Sequence, residues 1–168
     1  MSTMLDATQG FATWLESCWF ASAIAESAWA FPIIEIVHVF ALCLVVGSIA
    51  MIDLRLLGVS RRHRSVRELT AGVLPWTWSA FAVAASAGFL LFSSKATQYL
   101  VNPAFRLKLL FLALAAVNML TFHLITARTI ANWDTGRPPL PARTAGALSL
   151  ASWIAVVAAG RWMGFVDN

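Results

Sequence analysis

Four apolar stretches of about 20 residues each dominate this chain: roughly Pro32–Ile52, Gly72–Phe92, Phe105–Ile125 and Thr144–Phe165. Each is long enough to cross a hydrocarbon core of about 30 Å as a helix. With 60% hydrophobic and 12% charged residues in 168, the chain carries more apolar surface than a soluble domain of that length can bury. The expected fold is therefore all-α, an integral membrane four-helix bundle spanning residues 32–168, preceded by an outer-face amphipathic segment over residues 1–31.

Proline marks the entry to each span. Pro32, Pro75, Pro103 and Pro141 sit at or just before the four apolar stretches, where a missing N–H is harmless and a fixed φ suits the first turn. Asn102 is expected to cap the third helix.

Basic residues set the expected orientation. Arg55, Arg61, Arg62, Arg64 and Arg67 follow the first span, and Arg128, Arg137 and Arg143 follow the third. The opposite side offers only Lys95, Arg106 and Lys108. The positive-inside rule puts both Arg-rich loops in the cytoplasm and both termini on the periplasmic side of a bacterial inner membrane. The net charge of +4 is read as topology and not as nucleic-acid binding, and His63 in the first basic loop as solvated. The run Arg61-Arg62-His63-Arg64 could also touch anionic headgroups.

Residues 1–31 lack the basic start and uninterrupted apolar core of a signal peptide. Phe11, Trp14, Leu15, Cys18 and Trp19 recur at helical spacing opposite Thr13, Glu16 and Ser17, the pattern of an amphipathic helix on a membrane surface or a docked partner. Cys18 and Cys43 lie too far apart in depth to pair within one chain. Ala80, Ala84 and Gly88, and Ala147, Ala151, Ala155 and Ala159 followed by Gly160 and Gly164, form stripes of small residues that let membrane helices approach closely.

Ionisable residues inside the spans are costly and mark candidate sites. Glu35 and His38, one turn apart, share a face with Leu42, Val45, Val46, Ile49 and Asp53. At about 1.5 Å per residue, Glu35 lies about 5 Å and His38 about 9 Å below the outer boundary, while Asp53 reaches the inner boundary beside Arg55. Arg161 falls near the depth of Glu35 and is its expected ion-pair partner. Lys108 lies near the outer end of the third helix, Asn118 deeper, and His123 about 27 Å down, level with Met51.

Depth restricts the chemistry. His38 and His123 differ by about 18 Å, too much for the two axial positions of one haem in a single chain. Haem b therefore requires His/Met ligation at either end, with Met51 level with His123, or a second ligand from a homo-oligomer. Copper could use His38 with Glu35. A di-iron carboxylate bundle is excluded, because it needs two Glu-x-x-His repeats and the chain has one. Zincin, P-loop and nucleophile-elbow motifs are absent from the sequence.

Trp14-Leu15, Pro32-x-x-Glu35-x-x-His38, Asp53-Leu54-Arg55-Leu56-Leu57-Gly58, Arg106-x-Lys108, Phe122-His123 and Gly160-Arg161 together resemble a family of uncharacterised bacterial four-helix inner-membrane proteins. The resemblance covers nearly the whole chain and implies a topology without an activity. At fold level the chain is also loosely similar to membrane cytochrome b and copper-resistance membrane proteins. The expected function is an inner-membrane protein with a Glu/His/Arg site in the outer leaflet, redox- or metal-linked through haem or copper. The alternatives are a structural or accessory membrane subunit with no cofactor, docking a membrane or periplasmic partner, and a small proton-coupled transporter acting as an oligomer. Whether the chain is an enzyme, and which residue would be catalytic, the sequence leaves open.

Overall fold

The computed structural model describes residues 2–59, 65–134 and 136–166, with side chains from residue 7 onward. All its regular elements are helical among the described residues. Two short helices, α1 (Ser2–Glu16) and α2 (Trp19–Glu26), precede the long α3 (Ala30–Leu57) and α4 (Val66–Ser94). A short α5 (Ala96–Val101) leads into α6 (Pro103–Thr121), which continues through a π-helical turn (Phe122–Thr126) and a 3-10 turn (Ala127–Asn132) before α7 (Leu140–Val166). Ala30–Leu57, Val66–Ser94, Pro103–Asn132 and Leu140–Val166 are each long and apolar enough to cross a membrane, so the chain is a multi-pass membrane protein.

The helix ends explain where the spans begin. Asn102 caps α6 as expected, its Oδ1 accepting from the N–H groups of Ala104 (2.9 Å) and Phe105 (3.3 Å), with Pro103 following in the first turn. The expectation for Pro75 does not hold. Helix α4 starts earlier, at a capping box in which the Ser65 side chain accepts from Glu68 N–H and Glu68 reaches back to Ser65 N–H. Pro75 thus lies inside α4, where the capping box has already fixed the start. Gly58 ends α3 at φ 80°, a left-handed cap that glycine adopts without strain.

Helix α3 packs against α4 and α7, and α6 packs against α7. Val45, Ala80, Ala115, Trp153 and Val156 form the central core, drawing on all four long helices. Between α4 and α6 the packing is sparse, apart from Phe92 stacked on Phe105 at 5.4 Å where the two helices join through α5. The bundle therefore has one loosely closed side.

Among the small-residue stripes, that of α4 faces inward with Ala80 and Ala84 buried. On α7 the inward stripe is Ala142, Gly146, Trp153, Val156 and Ala159, while Ala147 and Ala151 are exposed. Gly146 sets the α3–α7 crossing: a Cβ there would lie 3.1 Å from the Asp53 carbonyl oxygen and 3.0 Å from Leu56 Cβ.

Helices α1 and α2 dock onto the end of the bundle that carries both termini, here called the terminal end. Ala12 and Leu15 are buried against Ala96, and Glu16 Oε1 accepts from Thr97 N–H (2.8 Å) and Thr97 Oγ1 (2.7 Å). Leu15 is buried as its helical pattern implies, but Phe11, Trp14 and Trp19 are exposed. The opposite, basic end is closed by Leu56, Val66, Trp133 and Ala142. Residues 60–64, which include Arg61, Arg62, His63 and Arg64, lie outside the described residues.

Candidate functional site within the bundle

A cavity of about 360 Å³ runs inside the bundle along its loosely closed side. On α3 it is lined by His38, Leu42, Val45, Ile49 and Asp53 of the face expected from the sequence, together with Ile52 and Leu56, while Glu35 and Val46 of that face stand outside it. Its walls are mostly apolar, with polar groups gathered at two levels. His38 and Lys108 stand toward the terminal end, and Asp53, Asn118, His123 and Ser149 toward the basic end. The α3 positions His38 and Asp53 are separated by about 22 Å of helix rise.

Two features fix His38. Its Nδ1 lies 2.8 Å from the carbonyl oxygen of Ala84 on α4. A carbonyl only accepts, so Nδ1 carries the proton, and in the neutral ring Nε2 holds the lone pair. The imidazole fits against Gly88, where a Cβ would lie 2.9 Å from His38 Cε1. The Ala80-Ala84-Gly88 stripe thus makes room for a ring as well as packing a helix.

Lys108 lies across Gly160 of α7, with Nζ 3.7 Å from where a Cβ would be. It is half-buried and has no acidic partner among the described residues. The expected Glu35–Arg161 ion pair does not form. Glu35 is exposed, and Arg161 is exposed with its guanidinium 5.4 Å from the Phe165 ring centre. The physical reason is that two residues at equal depth still need facing helix sides, and neither of these lines the cavity.

At the other level, Asp53 is 4% exposed and its Oδ2 has no hydrogen-bond partner among the described residues. Ser149 of α7 lines the same part of the cavity. Asn118 Nδ2 donates to the Ala145 carbonyl at 2.9 Å, tying α6 to α7. His123 sits in the π-helical turn, with Nδ1 2.9 Å from the Met119 carbonyl of its own helix. π-Turns within helices are frequent at functional sites. The sequence pattern gives no sign of this one.

Other expected participants are elsewhere. Met51 is 52% exposed on the outside of the bundle, away from the cavity that His123 lines. Arg55 is buried at the basic end, where Nη2 donates to the Asp134 carbonyl at 2.9 Å. Among the described residues, no three His, Cys, Asp or Glu side chains converge as a metal-binding group. Cavity-lining residues that sequence reasoning missed include Thr77, Trp78, Phe81 and Ser149, because nothing in an apolar stretch says which neighbour lies opposite a given face.

A family model described as a family of unknown function matches residues 17–166. No curated protein and no solved structure matches the chain.

Proposed function

This chain belongs to that family of unknown function, DUF6644, and we propose that it is a redox-linked inner-membrane protein holding haem b in the part of the cavity where His38 and Lys108 lie. The observation that carries this reading is the state of His38. Its Nδ1–H is given to the Ala84 carbonyl, which leaves Nε2 as a lone-pair donor on the wall of an apolar cavity. Metal-bound histidines are held in the same way, the second ring nitrogen bonded to a carbonyl or carboxylate that fixes tautomer and ring orientation.

The surroundings suit the group. Lys108, which lines the cavity with His38, supplies a cation for an acidic substituent. Haem, when bound, supplies one-electron chemistry. The chain's own residues orient Nε2, place a positive charge beside it and exclude water with Leu42, Phe81 and Leu112. The sparse packing between α4 and α6 offers a lipid-soluble molecule a side entrance. His123, about 22 Å of helix rise from Lys108 on the same helix, lies too far away to hold the same group within one chain. Copper is less well served, since Glu35 stands outside the cavity and no third donor joins His38 among the described residues.

A continuous proton path is also less well served. Between the two polar levels the walls are Leu42, Val45, Ile49, Leu112 and Val156, with only Thr77 among them to carry a proton.

Titration of haem into protein purified from haem-depleted cells tests the assignment. Wild type and His123→Ala are expected to bind one haem per chain with a shifted absorption band, and His38→Ala to lose at least tenfold in affinity. Equal binding by His38→Ala and wild type contradicts the assignment.

A further inference from the structure

At the basic end a second pocket, of about 300 Å³, is lined by Arg55, Leu57, Gly58, Gly136, Arg137, Pro138 and Arg143. We infer that it is a binding site for a phosphate-bearing anion, and that the headgroup of an acidic phospholipid is its occupant. This site is separate from the His38 cavity and does not rest on the redox reading.

Three arginines reach it from three segments: the end of α3, the loop before α7 and the first turn of α7. Three arginines lining one pocket concentrate positive charge there, which an anion offsets. Arg55 is the built part, 2% exposed and anchored to the Asp134 carbonyl. Arg137 and Arg143 are exposed and have no acidic partner among the described residues. Asp134 adjoins the site, its Oδ1 accepting from Arg67 N–H at 3.0 Å.

Guanidinium groups bind phosphate oxygens in pairs of parallel hydrogen bonds, so arginine suits this ligand better than a point charge does. The pocket lies at the end of the spans, the level of lipid headgroups, and Leu57 and Pro138 give it an apolar side. It also accounts for part of the Asp53–Gly58 segment singled out in the sequence. Asp53 lines the inner cavity, whereas Arg55, Leu57 and Gly58 line this pocket.

The test is thermal unfolding of the full chain in detergent with added phosphatidylglycerol, phosphatidylcholine or inorganic phosphate. Phosphatidylglycerol is expected to raise the midpoint by several degrees more than phosphatidylcholine does. The double variant Arg137→Gln/Arg143→Gln, at two exposed positions, should unfold like wild type without lipid and lose that difference. Inorganic phosphate giving the full wild-type shift, also lost in the variant, supports the anion site and assigns it to a free phosphate. Equal effects of the two lipids together with no effect of phosphate, or a difference that survives in the double variant, overturns the inference.

Discussion

Gly88 decides where the His38 imidazole can sit. A methyl group at that position would come within 2.9 Å of the ring, so Gly88→Ala must push His38 off the Ala84 carbonyl. Overpacking of this kind costs about 1–3 kcal/mol. Unfolding in a graded denaturing detergent should show that loss, accompanied by weaker haem binding. Asn118 makes a different prediction, because its bond to the Ala145 carbonyl joins two helices without touching His38. Asn118→Leu should cost about 0.6 kcal/mol, at most about 1.7, in the same assay, with haem affinity unchanged. At this scale the sequence identified His38, Lys108, Asp53, Asn118 and His123 as residues of interest, because polar groups stand out in an apolar run. It paired them poorly. Depth follows from counting residues, but the side of a helix that meets a neighbour depends on packing, and so Glu35 and Arg161 at one depth remain apart.

Among the elements, the four long helices were legible from length and hydropathy, and the face of α3 in part from its periodicity, with Glu35 and Val46 falling outside the cavity. Their starts were less so: the Ser65 capping box extends α4 well before Pro75, and propensity at proline is overridden once a helix is already capped upstream. The stripe on α7 was displaced by one position, since Gly146 rather than Ala147 meets the backbone of α3. The pattern of the N-terminal helix suits a membrane surface or a docked partner, and Ala12, Leu15 and Glu16 in addition tie it to the bundle. Glu16 accepts both the N–H and the hydroxyl of Thr97, so it serves as a cap supplied from another helix. Glu16→Ala should cost about 0.5–2 kcal/mol, as other lost caps do. Hydrogen exchange should quicken in α1 and the first turn of α5 and remain unchanged in the centre of α3 and α7.

For the whole molecule, the two ends differ in chemistry. One carries both termini with exposed Trp14, Trp19 and Trp29, and the other carries Arg55, Arg137 and Arg143. We propose from this asymmetry that the basic end faces the cytoplasm. Cys18, partly exposed at the terminal end, reports on this directly, whereas Cys43 sits within the α3 span. A membrane-impermeant maleimide should label Cys18 in intact spheroplasts, and labelling only after permeabilisation would reverse the orientation. The cavity between α4 and α6 is a property of this scale as well, since it exists only because α3 and α7 hold the other two helices apart. No single stretch of sequence encodes it. The most direct test of its proposed role is the reduced-minus-oxidised absorption spectrum of protein purified from its native membrane, with iron assayed on the same sample. A Soret band with about one iron per chain, absent from His38→Ala, is the expected result. A folded wild-type protein with no such band and no bound iron would contradict the assignment of His38 to a haem site.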